Sequence, residues 1–141
     1  MPKPVLYLDV VGTLMVEKGK RLELAPEARA FVDRAKERFE LRFLTTLEER
    51  HAVAVARALE TDIRFEAFRH NIGKAAAIDF RENFWWVDDD PTAADLLHLS
   101  DERRSDRLIA VDRRTGVTLA TWRKIASALD GDDATERSAE A

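Results

Sequence analysis

The chain of 141 residues contains no cysteine. This absence excludes disulfide bonds, catalytic thiolates and zinc sites with thiolate ligands. The chain also lacks a run of about 18 apolar residues, which a membrane-spanning helix needs. Its first apolar run is interrupted at Asp9 and is therefore unlike a signal peptide. We expect a soluble, cytoplasmic protein that does not bind membranes.

Positive charge is not in excess either, because 23 lysines and arginines stand against 27 acidic residues. A broad nucleic-acid-binding face is therefore not expected, although local phosphate binding needs only a few groups. The length fits one domain with a core of its own. The composition becomes small and polar after Gly131. We expect one domain over residues 1–131 and a disordered tail over residues 132–141.

Short apolar runs alternate with amphipathic segments along the chain, which predicts an α/β fold with a mainly parallel sheet and helices on both faces. Strands are predicted over VLYLD, ELRFLTT, NFWWVDDD and RLIAVD, and a small hairpin around Gly19. Helices are predicted over PEARAFVDRAKERF, EERHAVAVARALE, GKAAAIDF, TAADLLHL and LATWRKIASALDG, the last ending at Gly131. The segment IRFEAFRHNIG is either a short strand or an irregular connection. Trp85 and Trp86 are adjacent strand residues, so each should be buried on a different face of the sheet.

Acidic residues end two of the predicted strands: Asp9 follows the first, and Asp88, Asp89 and Asp90 end the third. Ligands of such sheets bind beyond the carboxyl ends of the strands. Converging carboxylates need a cation, and Mg²⁺ prefers oxygen ligands. The alternative is that the acidic run caps the following helix. Capping accounts for part of the run but not for Asp9 at the end of an apolar strand.

Thr45 and Thr46 end the second strand, where hydroxyl and backbone N–H groups at a helix start suit an anion. Each also has an ordinary local explanation, since threonine often begins helices. Lys74 stands at the predicted start of a helix, where acidic residues are normally favoured. A bound phosphate would reverse that preference, whereas a solvated lysine is the simpler alternative.

Together and in this order, LYLDVVGTL, RFLTT, Lys74 and FWWVDDDP resemble the four motifs of the haloacid dehalogenase (HAD) superfamily. The resemblance extends from Val5 to about Leu129. It implies a three-layer, Rossmann-like HAD fold with a small hairpin flap. The short connections between the motifs leave no room for a large cap, which makes the chain similar to capless members.

The resemblance implies a Mg²⁺ site formed by Asp9, the backbone carbonyl of Val11, and the acidic run. Alignment on the proline that follows favours Asp89 as the ligand and Asp88 as its support. Asp9 would also be the nucleophile that accepts a phosphoryl group.

The resemblance also implies phosphate-binding roles. Thr45 would hydrogen-bond the transferring phosphoryl oxygens, with Thr46 and Gly12 beside it. Lys74 would neutralise charge on the phosphate and the nucleophile. The substrate would be a phosphorylated molecule of unknown identity. A narrower similarity of WWVDDDP and RLIAVDRRTGVT to HAD domains of bacterial RNA-repair proteins makes nucleotides and nucleic-acid ends candidates. No feature indicates an oligomeric state.

Val11 departs from the HAD pattern, in which an acid at this position protonates the leaving group and then activates water. Valine does neither, and such help is typically worth about 10²–10⁴-fold. Three interpretations stay open: a phosphohydrolase with impaired or unusual chemistry, which we favour; a phosphate-binding pseudoenzyme that acts through a partner; and an introduced substitution.

Overall fold

A computed structural model of the chain describes the backbone of residues 3–69 and 71–140, and the side chains of residues 3–69 and 71–131. The strands are β1 (Val5–Leu8), β2 (Met15–Lys18), β3 (Arg21–Leu24), β4 (Glu40–Phe43), β5 (Arg64–Phe65), β6 (Phe84–Asp88) and β7 (Leu108–Ala110). The α-helices are α1 (Ala28–Arg38), α2 (Glu49–Ala58), α3 (Ala93–Asp101) and α4 (Leu119–Glu140). Short 3-10 helices span Lys74–Ala77 and Ser105–Arg107.

Five strands form one sheet in the order β5-β4-β1-β6-β7, and every neighbouring pair is parallel. The strand β1 is therefore central, with β4 on one side and β6 on the other. The remaining two strands, β2 and β3, form the predicted antiparallel hairpin between β1 and α1. The prediction of a mainly parallel sheet with a small hairpin is confirmed.

Both faces of this sheet are covered, since all four residues of β1 and all five of β6 are buried. One face packs against α1, α2 and α4, and this cluster includes Trp85. The opposite face packs against α3 and the Lys74–Ala77 turn, and this cluster includes Trp86. Both indoles are at most 1% exposed, so the prediction of two buried tryptophans on opposite faces is confirmed.

Two predicted helices end differently in the structure. The helix predicted over GKAAAIDF is only the 3-10 turn Lys74–Ala77, because Ile78 is extended and packs into the core beside Trp86. The last helix does not end at Gly131, which lacks the left-handed conformation of a helix terminus, and instead continues to Glu140. The side chains of residues 132–141 lie outside the described part of the chain. The disordered tail predicted for these residues stays a prediction.

The segment IRFEAFRHNIG contains the two-residue strand β5 followed by irregular backbone. His70 of this segment lies outside the described residues. No helix in the described part of the chain is long and apolar enough to cross a membrane.

Candidate active site

The carboxyl ends of β1 and β6 bring together the predicted acids and the predicted lysine. The Lys74 ammonium donates to Asp9 Oδ1 at 2.9 Å and to Asp88 Oδ2 at 2.7 Å. The second Asp9 oxygen accepts from the Thr13 hydroxyl at 3.3 Å, and the second Asp88 oxygen accepts from the Asp90 N–H at 3.0 Å. Both carboxylates are buried, and each is held at both oxygens. Asp9 and Asp88 are therefore fixed in position by their neighbours.

Asp89 completes a cluster of three carboxylates, since oxygens of Asp9, Asp88 and Asp89 lie within 4.8 Å of one another. Its side chain passes directly over Gly12, where a Cβ atom would collide with both Asp89 oxygens and with the carbon that joins them. Gly12 also has a φ of +86°, which side-chain-bearing residues rarely adopt. Gly12 is thus required for Asp89 to approach Asp9.

The clustering shifts the proton affinity of each buried group. Burial and the neighbouring Asp88 carboxylate raise the pKa of Asp9 to about 8, although the Lys74 ammonium acts in the opposite direction. Burial also raises the pKa of Asp88. Burial alone would lower the pKa of Lys74, but the carboxylates of Asp9 and Asp88 outweigh it, and the pKa is raised. The raised pKa values of Asp9 and Asp88 mean that the ionised form of each carboxyl group is disfavoured at this site.

The composition of the cluster fits a divalent cation. Three carboxylates and one ammonium leave two surplus negative charges in a largely buried place. Mg²⁺ takes carboxylate and water oxygens and keeps several waters, which suits a cluster that borders an open cavity. The residues present are therefore suited to hold Mg²⁺.

That cavity has a volume of about 300 Å³ and is lined by Asp9, Lys74 and all three acids of the run. Thr46 is exposed and lines it as well. Thr45 does not line it: this residue is buried, and its hydroxyl accepts from the Leu47 N–H at 3.2 Å. The phosphate-binding roles of Thr45 and Thr46 stay predictions.

Val11 and Arg113 border the same cavity, and sequence reasoning did not single out the arginine. The Arg113 guanidinium lies 3.8 Å from Asp89 and 3.6 Å from Asp90, with 67% of the side chain exposed. The sequence did contain an indication of this arginine. The segment DRRTG follows the last strand, and this strand runs parallel to β6 and so ends at the same edge of the sheet.

Another missed residue, Asp95, holds the lysine-bearing turn. Its carboxylate accepts from the backbone N–H of Ala75 at 3.0 Å and from that of Thr92 at 3.1 Å. Thr92 in turn caps α3 by accepting from the Asp95 N–H. The expectation that the acidic run caps this helix is therefore wrong, because Thr92 performs that role. The pattern Thr-x-x-Asp was the available signal for this capping box.

The loop with Arg113 is fastened to the loop that follows Asp9. The Val117 N–H donates to the Thr13 carbonyl at 2.8 Å. A Cβ atom on Gly116, whose φ is +66°, would collide with that carbonyl oxygen and lie 2.8 Å from Ala25 Cβ. The two loops can therefore approach this closely only with glycine at position 116.

We expect Gly116→Ala to lower the free energy of unfolding by roughly 3 kcal/mol, combining left-handed backbone strain with overpacking. Gly19→Ala is the matched control, because Gly19 has a φ of +65° with nothing within 4 Å of the added Cβ. It should cost only about 1–2 kcal/mol. Urea unfolding of both variants measures the difference, and equal losses would contradict the close contact between the loops.

Comparison with known proteins finds no matching family model and no matching curated protein. Several solved structures do match. One is the crystal structure of a protein described as a putative HAD family hydrolase from Streptomyces avermitilis MA-4680. It is 18% identical, with a TM-score of 0.50 over 89% of this chain and 83% of that chain. At this identity the likeness shows the fold alone, and the chain therefore shares the α/β fold of that hydrolase, as its four motifs predicted.

Proposed function

We propose that the protein is a Mg²⁺-dependent phosphohydrolase of the HAD type that uses Asp9 as its nucleophile. The observation that carries the proposal is the position of Lys74, whose ammonium contacts both Asp9 and Asp88 at the edge of an open cavity. A buried ion pair of this kind is expensive to maintain and contributes little stability by itself. Its place beside a third carboxylate, in a cavity of about 300 Å³, favours a functional explanation.

In the first step, an oxygen of the Asp9 carboxylate attacks phosphorus, the bond from phosphorus to the leaving oxygen breaks, and the leaving oxygen keeps the electron pair and departs as an anion or takes a proton from water. Lys74 and Thr13 hold the two Asp9 oxygens and so orient the nucleophile. Lys74 also offsets negative charge on the incoming phosphoryl group. In the second step, a water oxygen attacks the same phosphorus, the bond from phosphorus to the Asp9 oxygen breaks, phosphate is released, and the water proton passes to solvent.

Asp89 is our candidate for the metal ligand beside Asp9. Asp88 is the least accessible of the three carboxylates, with 1% of its side chain exposed against 6% for Asp9 and 11% for Asp89. Asp89 lies over Gly12 and is only loosely paired with Arg113. Together with Asp9 and the Val11 carbonyl it would hold Mg²⁺. When bound, the ion supplies charge stabilisation for the phosphoryl group.

The second candidate function is a phosphate-binding protein without turnover. Val11 favours it, because this side chain lines the cavity at the place where the HAD pattern has an acid. Binding would need only the cation, Lys74 and the backbone. We place the hydrolase first because phosphate binding alone does not require a carboxylate in the cavity lining that Lys74 and Thr13 orient at both of its oxygens.

Hydrolysis of p-nitrophenyl phosphate tests the proposal, because nitrophenolate leaves without protonation and so does not need the missing acid. We expect a burst of nitrophenol, a slow steady state and a complete requirement for Mg²⁺. The burst is expected because hydrolysis of the aspartyl-phosphate lacks its base.

The control measures binding separately from turnover. Mg²⁺ should raise the melting temperature of the wild-type protein and of a variant with Asp62→Asn and Asp101→Asn, two exposed acids outside the site. It should not raise that of a variant with Asp9→Asn and Asp89→Asn. A protein that gains stability from Mg²⁺ but releases no nitrophenol would be a binding protein.

A further inference from the structure

A second cavity of about 250 Å³ adjoins the active site. It shares Val11, Asp89 and Arg113 with the first cavity and is completed by Gly12, Glu17 and Arg114. A group that leaves the phosphorus atom near Asp9 has this space beside it. Val11 lines both cavities, so the position at which the HAD pattern has an acid lies where the two cavities meet.

Two adjacent arginines, Arg113 and Arg114, are the cationic groups of the second cavity. The contacts of Arg113 to Asp89 and Asp90, at 3.8 and 3.6 Å, are longer than the 2.7–2.9 Å of close charge-assisted hydrogen bonds. Among the described residues, no carboxylate lies within salt-bridge distance of the Arg114 guanidinium. Glu17 contributes one negative charge to the lining. The two arginines balance Glu17 and Asp89 in this lining, and a surplus of positive charge arises there when a metal ion engages Asp89.

The backbone that presents these arginines is ordered by several contacts. The Asp112 side chain accepts from the Arg114 N–H at 2.8 Å, and the Asp112 carbonyl accepts from the Gly116 N–H at 2.8 Å. Gly116 is packed against the Thr13 carbonyl, and Thr13 donates to the nucleophile Asp9. The arginines are thus attached through a short chain of contacts to the catalytic loop.

The chemistry of this cavity selects among leaving groups. An alcohol must be protonated as it leaves, and Val11 has no proton to give. Arginine does not supply one either, because it stays protonated in proteins. It instead stabilises an oxygen that departs with its negative charge, and its planar fork suits phosphate in particular.

We propose that the second cavity binds a phosphate leaving group, so that the substrate is a phosphoanhydride, such as a nucleoside diphosphate or an inorganic diphosphate. This inference rests on the proposed function and specifies its substrate. An Asp9 oxygen forms a bond to the terminal phosphorus, and the bond to the bridging oxygen breaks. The bridging oxygen keeps the electron pair and leaves, without a proton, as part of a phosphate held by Arg113 and Arg114. Water then releases the second phosphate from Asp9 and gives its proton to solvent.

Turnover tests the inference through a comparison of leaving groups. With Mg²⁺, we expect kcat/KM for ADP, diphosphate or tripolyphosphate to exceed that for AMP by about 10²-fold or more, the scale of the missing acid catalysis. Preference for ADP over the inorganic substrates would identify a nucleotide as the source of the anhydride. Cleavage of p-nitrophenyl phosphate without this preference for anhydrides would overturn the inference and leave the proposed function intact.

The arginines are tested by the double variant Arg113→Ala and Arg114→Ala. The ratio of kcat/KM for diphosphate to that for p-nitrophenyl phosphate should fall by about tenfold or more, the value of one or two charge-assisted hydrogen bonds. Arg34→Ala is the matched control, because Arg34 is an exposed arginine on α1 outside both cavities. It should leave the ratio unchanged. An unchanged ratio in the double variant would overturn the role of the arginines.

Binding supplies a readout that does not need turnover. By calorimetry with saturating Mg²⁺, methylenediphosphonate should bind at least about tenfold more tightly than methylphosphonate, and the double arginine variant should lose this preference. If the protein shows this preference in binding but cleaves no substrate, the proposed hydrolase activity is disproved and the two-phosphate site is supported. Equal affinities would overturn the inference whatever the activity.

Discussion

Val11→Asp should raise the steady-state hydrolysis of p-nitrophenyl phosphate by about 10²-fold or more, on the usual scale of general acid-base catalysis. The new carboxylate would activate water against the aspartyl-phosphate, which is the step that we expect to limit the proposed hydrolase. The structure has a place for it, since Val11 is only partly buried and borders both cavities beside Arg113. The burst should disappear as the second step becomes fast.

Val11→Asn is the control for this gain, because asparagine has the shape of aspartate but does not exchange a proton at neutral pH. We expect it to stay within a few-fold of the wild type. If Val11→Asp folds, binds Mg²⁺ and gains nothing on aryl, nucleotide or diphosphate substrates, position 11 does not limit this site. The binding protein would then replace the hydrolase.

Asp9→Asn should abolish turnover, with a loss on the order of 10⁴-fold or more, the scale seen when a covalent nucleophile is removed. The variant keeps the size of the side chain and an oxygen for Lys74, so the cavity should persist. Both the burst and the steady state of nitrophenol release should vanish. Residual turnover within tenfold of the wild type would show that Asp9 is not the nucleophile.

The stability of Asp9→Asn separates loss of the nucleophile from loss of the fold. Burial and the Asp88 carboxylate raise the pKa of Asp9 to about 8 in the folded protein, whereas an unfolded Asp has its ordinary value. A raised carboxyl pKa means that Asp9 contributes progressively less to stability as the pH rises from about 4 to about 8. Without Mg²⁺ at pH 8, the neutral asparagine should therefore give a more stable protein. A less stable variant would contradict this account.

The elements of the site that the sequence predicted are those that end apolar strands. Asp9 and Asp88 follow four or more consecutive buried residues, and the parallel order of β1 and β6 brings such ends to one edge. Such patterns are visible in one sequence because a short continuous apolar run marks a buried strand and the first acid after it marks where the strand ends. Lys74 was located by its place in the order of the motifs, although its helix is only a single turn.

The contacts that the sequence could not predict join loops distant along the chain. The pairing of Arg113 with Asp89 depends on how closely the Asp112–Gly116 turn approaches Thr13, and that distance is set by tertiary packing. The bond from the Ala75 N–H to Asp95 has the same origin, because it joins the lysine turn to α3. Thr45 shows the limit for single residues: its hydroxyl accepts from the Leu47 N–H, and the neighbouring Thr46 lines the cavity instead.

The central position of β1 has a consequence for the order of folding. This strand, with the sequence VLYL, precedes both of its partners, and its first residue aligns with Glu40 on one side and Phe84 on the other. Such non-local parallel pairings form slowly, because the entropy cost of closing the intervening loops comes before the stabilising contacts form. Until β6 arrives, β1 presents an unpaired, apolar edge, which is the kind of segment that promotes aggregation. The strand that ends at Asp9 is thus also where a partly folded chain is most exposed to misassembly.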